Sequence, residues 1–171
     1  PPQYHRSRPF SDGMALVADS TGQCLYIRSD GAIAFKTPFQ AKQWRGLGDF
    51  HDGRAWFKGK GWYWGAVDKL GQEVIPPRYH HEIGGAGLPQ EDEAYPLPMD
   101  FTGGVASVVQ LNAGAEQMAT IIDTTGLAIL KRTDLAYISP FGRNGLAVYR
   151  KKSEKLSGLI KWDGTLLIEP A

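Results

Sequence analysis

A pattern of about 40 residues recurs four times along the chain, and it limits the fold more than any other feature. Each copy opens with Phe, followed by Gly three positions on, Ala two further and an apolar residue two further again. The copies are Phe10, Gly13, Ala15 and Val17; Phe50, Gly53, Ala55 and Phe57; and Phe101, Gly104, Ala106 and Val108. In the fourth, Phe141, Gly145, Ala147 and Tyr149, the Gly falls one position late. The opening residues are 40, 51 and 40 positions apart. A period of this length marks a solenoid, a propeller or a similar array, in which no unit can bury its apolar side alone.

The second half of each copy repeats as well. A β-branched residue (Ile27, Val67, Ile122 or Ile160) stands four positions before Gly31, Gly71, Gly126 or Gly164. Another apolar run follows each Gly: Ile33 to Phe35, Val74 and Ile75, Ala128 to Leu130, and Leu166 to Ile168. Apolar runs flanking a Gly turn read as a β-hairpin, so each copy is expected to hold about three short strands, the last two paired. Pro76 and Pro77 cannot donate to a ladder and are expected to end the third strand of copy two. No sustained 3.6-residue periodicity is present, apart from a short helical turn expected near Gln40 to Trp44. Successive strand side chains alternate, so Ala15/Val17, Ala55/Phe57, Ala106/Val108 and Ala147/Tyr149 are expected to form one uniform core face.

The best-kept copy is Trp64-Gly65-Ala66-Val67-Asp68-Lys69-Leu70-Gly71-Gln72-Glu73-Val74-Ile75-Pro76-Pro77-Arg78-Tyr79. Together with the Phe-x-x-Gly-x-Ala-x-Val opening, it resembles the bacterial WG-repeat family, also called KWG repeats. The resemblance runs over nearly the whole chain, although only copy two keeps the Trp-Gly pair. Copy four has Ser157-Gly158 there, copy one Cys24-Leu25 and copy three Ala119-Thr120. Copies one and four carry Arg28 and Lys161 in place of the Asp. The resemblance implies a β-rich interaction repeat in a bacterial protein. It implies no catalytic residues.

The expected fold is therefore all-β: a tandem array of about four three-stranded WG-type repeats. Residues 1–9 would be the tail of a preceding repeat. The repeats would then cover about 10–49, 50–100, 101–140 and 141–171, the second with an inserted loop at 80–100. Pro1-Pro2-Gln3-Tyr4-His5 matches Pro76-Pro77-Arg78-Tyr79-His80 at four of five positions. Either the array is open and was cut from a longer chain, or the N-terminal tail completes the last repeat as in a closed propeller. The open, solenoid-like stack is favoured.

Composition excludes several roles. With 42% hydrophobic residues among 171 the chain can bury a core. A formal charge of +1 argues against a nucleic-acid surface, which normally needs a basic excess. Arg150-Lys151-Lys152 is a basic run, but it reads as a soluble hairpin tip. No apolar run approaches the roughly 20 residues that span a bilayer. One cysteine, Cys24, allows no internal disulfide framework. The compartment stays open between bacterial cytoplasm and cell envelope.

The candidate binding residues cluster around copy two. Trp44, Trp56, Trp62 and Trp64 are four of the five tryptophans and lie within 21 residues. Trp64 fits the repeat position and is read as structural. Trp62 and Tyr63 follow Gly59-Lys60-Gly61 and are read as ligand contacts, with Trp44 and the neighbouring pair Arg54 and Trp56. His80 and His81 open the insert, where a partner-contacting loop is the expected role. Adjacent histidines are not the usual spacing of zinc ligands, so no metal and no cofactor is expected. Asp12, Asp30, Asp52, Asp68, Asp123 and Asp163 all occupy turn-like positions, where Asp commonly bonds backbone N–H groups. No catalytic residue is assigned. The expected function is non-catalytic protein recognition within a larger bacterial protein. Carbohydrate or envelope binding through exposed rings is the alternative, with an enzyme built on turn carboxylates last.

Overall fold

A computed structural model describes residues 3–80, 100–111, 113 and 116–170, apart from the Trp62 side chain. His81 and the rest of the insert up to residue 99 lie outside the described residues. Four antiparallel sheets follow one another along the chain. Sheet 1 is β1 (Tyr4–Ser7), β2 (Met14–Asp19), β3 (Gln23–Arg28) and β4 (Ile33–Gln40). A 3-10 turn, η1 (Ala41–Gly46), leads to sheet 2, made of β5 (Ala55–Lys58), β6 (Trp64–Val67) and β7 (Glu73–Tyr79), with η2 (Lys60–Trp62) between β5 and β6. Sheet 3 is β8 (Val105–Leu111), β9 (Gln117–Asp123) and β10 (Ala128–Arg132). Sheet 4 is β11 (Leu135–Ile138), β12 (Leu146–Lys151), β13 (Ser157–Lys161) and β14 (Leu166–Ile168). The fold is all-β, as the repeats require. Among the described residues no helix is long and apolar enough to cross a membrane.

The repeats share backbone geometry, not merely residue types. After Phe10, Phe50 and Phe101 the chain closes the same tight turn: Ser11 with Met14, His51 with Arg54, and Thr102 with Val105 each exchange backbone hydrogen bonds in both directions. Both central residues have positive φ, at Asp12 and Gly13 (+49° and +76°) and at Asp52 and Gly53 (+48° and +76°). That is the turn for which Asp-Gly is the preferred pair. In the fourth copy the turn is one residue longer and closes from Gly142 to Leu146. The second hairpin is the same in all four sheets. The N–H of Gly31, Gly71, Gly126 and Gly164 donates to the carbonyl of Arg28, Asp68, Asp123 and Lys161, at 2.9, 2.9, 2.9 and 3.0 Å.

Each repeat supplies the three expected strands after its Phe, and sheets 1 and 4 gain a fourth from the segment before it. β1 and β11 precede Phe10 and Phe141 yet pair with β2 and β12. In sheets 2 and 3 the corresponding strand shrinks to single bridges, Leu47 with Phe57 and His80 with Val109. The N-terminal segment therefore belongs to sheet 1, and the described β14 pairs only with β13. One expectation needs correction: β7 runs through Pro76 and Pro77 instead of ending there. β7 is an edge strand, where a missing donor costs no ladder bond. Its register jumps from Ile75 opposite Ala66 to Tyr79 opposite Trp64, so the prolines sit in a bulge.

Each sheet packs on the next through equivalent rows of side chains. Cross-strand partners Leu16, Tyr26 and Phe35 of sheet 1 pack toward Ala55 and Phe57 of sheet 2. Trp56, Ala66 and Ile75 of sheet 2 pack on Ala106, Val108 and Ile122 of sheet 3. The far side of sheet 3, with Val105, Ala119, Ile121 and Leu130, packs on Ala147, Tyr149 and Ile160 of sheet 4. In sheets 2 to 4 the Ala-x-apolar side thus faces the preceding sheet, as a core face should.

Candidate functional site

Among the described residues, an accessible apolar concavity lies at the junction of sheets 1 and 2. It begins with a register shift. On β4 Lys36 stands opposite Leu25 and Gln40 opposite Gln23, so Thr37, Pro38 and Phe39 bulge opposite Cys24. Gln23 satisfies the bulge, its Nε2 donating to the carbonyls of Thr37 (2.6 Å) and Phe39 (3.1 Å). Thr37 Oγ1 donates to the Cys24 carbonyl at 2.9 Å. A bulge of this kind re-aims a side chain, and here Phe39 turns toward Phe57 of the next sheet, with ring centroids 6.4 Å apart.

Between these rings and Phe35 lies a pocket of about 180 Å³, lined mainly by Tyr26, Phe35, Phe39, Phe57 and Val67, with Lys36 and Glu73 at its mouth. Phe35 stacks obliquely on Tyr26 at 5.0 Å and meets Phe50 edge-on at 6.3 Å. Gly71 closes one wall. A Cβ there would stand 2.6 Å from the Phe35 ring, so this Gly is required both for its φ of +79° and for the ring behind it. Tyr26 is held by its hydroxyl, which donates to the Gly48 carbonyl at 2.5 Å. Burial pushes its pKa above the ordinary tyrosine value, so it stays a neutral donor. The pocket is thus apolar, walled by rings and open beside β4, an edge strand of sheet 1.

The residues expected from the sequence are dispersed. Trp56 is 1% exposed and stacks on Phe101 at 5.2 Å, in the core between sheets 2 and 3. It is a packing residue; its alternation with Ala55 places it on the side that sheet 3 covers. Trp64 is buried in the same core, as its repeat position implies. Trp44, on η1, is half-buried beneath the guanidinium groups of Arg6 and Arg8, 5.8 and 5.2 Å from its ring. Arg54 reaches across to sheet 3, its Nε donating to the Thr124 carbonyl at 2.6 Å. Tyr63 is half-buried against His80, with ring centroids 4.6 Å apart. His81 and the Trp62 side chain are not among the described residues.

The turn carboxylates are used locally. Asp68 Oδ1 accepts from the N–H of Leu70 and Gln72, both at 2.9 Å, and Asp123 Oδ1 accepts from Thr125 (2.8 Å) and Leu127 (3.0 Å). Asp12 and Asp52 reach the next repeat and accept from the N–H of Gly53 (2.6 Å) and Gly104 (2.8 Å). Burial would raise the Asp12 carboxyl, but hydrogen bonds from Lys69 and Gly53 outweigh it and leave its pKa lowered.

Sequence reasoning missed Phe35 and Phe39 as pocket residues. The available signal was Phe35 and Phe39 flanking Pro38, a bulge-prone residue inside an apolar strand.

Comparison with solved structures gives distant likenesses. The computationally designed Ika4 protein matches over 94% of this chain and 87% of its own, with 11% identity and a TM-score of 0.42. The WD40 domain of Toxoplasma gondii coronin matches over 98% of this chain at 14% identity and a TM-score of 0.44, and this chain spans 45% of it. BamB from Moraxella catarrhalis matches over 96% at 12% identity and a TM-score of 0.38, with 62% of its length spanned. No curated protein matches the chain. One family model does, that of the WG containing repeat, over residues 64–81. Of those residues, 64–79 form β6, the Asp68–Gly71 hairpin and β7, whose turn recurs in the other three sheets. Residues 64–81 are thus similar to the WG containing repeat, and they sit in an array of four related β-units.

Proposed function

We propose that this β-repeat module is a non-catalytic recognition unit for an extended segment of a partner protein. The observation that carries the reading is the ring-walled pocket beside an edge strand, with Lys36 and Glu73 at its mouth. An extended peptide can add to an open edge through main-chain hydrogen bonds while a pocket takes one of its side chains. The occupant would be an apolar or aromatic side chain, flanked by residues that meet one positive and one negative group. The Tyr63 turn near η2 would extend the contact. The non-catalytic part of the reading draws on the carboxylates, which are occupied with turn N–H groups. A sugar platform would use flat exposed rings, whereas Trp44 is covered by two arginines and Trp56 is buried.

The test is a selection of displayed random peptides on the intact chain, repeated on Phe39→Ser. The expected result is enrichment of extended peptides bearing an apolar anchor, with at least tenfold weaker binding to the variant. No enrichment, or enrichment indifferent to Phe39→Ser, would reject the reading. Binding on a glycan array with no peptide enrichment would favour the carbohydrate alternative.

A further inference from the structure

The cavity beside Phe39 has a counterpart one junction further along. Counted from the hairpin glycines Gly31 and Gly71, Tyr79 holds in sheet 2 the place that Phe39 holds in sheet 1. Tyr79 and the next hairpin glycine, Gly126, wall a second cavity of about 400 Å³ between sheets 2 and 3. Its charge is different. The first mouth carries Lys36 and Glu73, one group of each sign. At the second, Ala128 stands where Glu73 would, Arg78 stands where Pro38 would, and Lys131 of β10 is added. Among the described residues two cations therefore line this cavity and no carboxylate does. Asp123, on the same hairpin, is already occupied, its Oδ1 accepting from the N–H of Thr125 and Leu127.

Arg78 is held in place by the wall behind it. Its Nη2 donates to the Gly126 carbonyl at 2.8 Å, and its guanidinium lies 5.1 Å from the centre of the Tyr79 ring. The Tyr79 hydroxyl donates to the same carbonyl at 3.0 Å. Gln110 of β8 also lines the cavity, and its Oε1 is buried with no donor among the described residues. A buried acceptor of this kind calls for a donor. Beside it Leu127 and Ile129 are exposed apolar side chains.

We propose that this cavity binds the carboxylate of an acidic side chain carried by an extended peptide. Arg78 and Lys131 take the carboxylate, for which a guanidinium has matching donor geometry. Gln110 Oε1 accepts from a peptide N–H, and Leu127 and Ile129 meet an apolar neighbour. A free small carboxylate would leave Gln110 and both apolar side chains unused. β7 and β10 are edge strands, so an extended chain can run beside them. This deepens the peptide reading above and rests on it for the class of ligand, but the two cavities share no residue.

The experiment titrates the full chain, labelled with nitrogen-15, with three probes: a capped Leu-Glu-Leu peptide, a capped Leu-Gln-Leu peptide and glutarate. Amide chemical shifts report binding. The expected result is saturable shifts centred on Gly126, Leu127 and the Gln110 side-chain amide, with the Glu peptide roughly fivefold tighter than the Gln peptide. Arg78→Gln and Lys131→Gln should each weaken the Glu peptide, and Phe39→Ser should leave it unchanged. Tyr79 still serves the Gly126 carbonyl in Arg78→Gln, and Lys131 is exposed, so both variants should keep the parent spectrum away from the cavity. Equal binding of the two peptides, binding indifferent to both variants, or no saturable shift overturns the proposal. Glutarate binding tighter than the Glu peptide also overturns it, since the ligand would then be a free carboxylate. So does loss of binding in Phe39→Ser, which would seat the peptide in the other cavity. Failure of the Phe39 selection alone leaves this result standing.

Discussion

The ring of Phe57 lies directly against Gly65 on the neighbouring strand. A Cβ at Gly65 would stand 2.9 Å from that ring and 2.5 Å from the Ile75 carbonyl oxygen. Tyr149 stands against Gly158 in sheet 4 in the same relation. In sheets 1 and 3 the paired positions are Val17 with Leu25 and Val108 with Thr120. The Gly of the Trp-Gly pair is thus kept where the cross-strand partner is aromatic and lost where it is Val. A glycine gives an aromatic neighbour room to lie flat across the strand.

Gly65→Ala should therefore cost about 1–3 kcal/mol, the usual penalty for overpacking a core. Adding Phe57→Val should recover part of this, because the ring is half of the obstruction and the Ile75 carbonyl remains. Urea denaturation of the two single variants and the double should show coupling of about 1 kcal/mol. Strict additivity would dissociate the glycine from the ring.

Asp12 and Asp52 tie one repeat to the next through Gly53 and Gly104. Replacing either by Ala removes an inter-unit hydrogen bond and should cost about 1 kcal/mol. Asn should retain most of it, since Asn keeps an acceptor oxygen and tolerates positive φ. The Asp12–Lys69 ion pair is well exposed and should add little. Thermal denaturation of the Asp12 Ala and Asn variants separates the two contributions.

Stability should depend on pH at both ends. Hydrogen bonds from Thr21 hold Asp19 low. At Asp123 burial raises the pKa, but bonds from Thr125 and neighbouring N–H groups outweigh it. Both carboxyls therefore titrate below 3.8 in the folded chain. Their contribution is complete above 3.8 and is lost as pH falls through the lower, folded values. Tyr26 has the opposite displacement for an acid. Its buried hydroxyl resists ionising, so stability should fall as pH rises past 10.0, where the unfolded tyrosine begins to lose its proton. Tyr26→Phe should flatten the alkaline limb and cost about 1–3 kcal/mol at neutral pH, because the buried Gly48 carbonyl loses its donor. Asp123→Asn should flatten the acid limb. Urea midpoints across pH read both.

Much of this architecture was legible in the chain. The Phe-to-Phe period, the hairpin glycines and the Ala-x-apolar face each follow from elementary strand geometry, and each recurs in the sheets. The short turn after Gln40 was also legible, and it forms η1. The strand before each Phe was not. Segments as short as Tyr4–Ser7 carry too little alternation to declare a strand, and Leu47 and His80 contribute only single bridges. Pro76 and Pro77 misled because proline's cost depends on whether a strand is central or at an edge, which pairing decides. The pocket was hidden for a related reason. Phe39 faces Phe57 only because β4 bulges, and register is a property of two strands together. Trp56 looked available because an aromatic beside an Arg suggests a surface, yet the next sheet closes over it.

The pocket should be separable from the scaffold. Phe39 is only partly buried, so Phe39→Ser should leave the denaturation midpoint within about 1 kcal/mol of the parent while weakening peptide binding. Gly71→Ala should damage both, because the added methyl strains the turn and strikes Phe35. Calorimetric titration with a selected peptide, read beside urea denaturation, makes the distinction.

The account rests on sheets that are stable only against one another. Trp56 tests this most directly, since it belongs to sheet 2 but is buried by sheet 3. Residue-resolved amide hydrogen exchange of Trp56→Ala should show protection falling together in β5–β6 and β8–β9, with β2–β3 less affected. Loss confined to sheet 2, with β8–β9 as protected as in the parent chain, would contradict it.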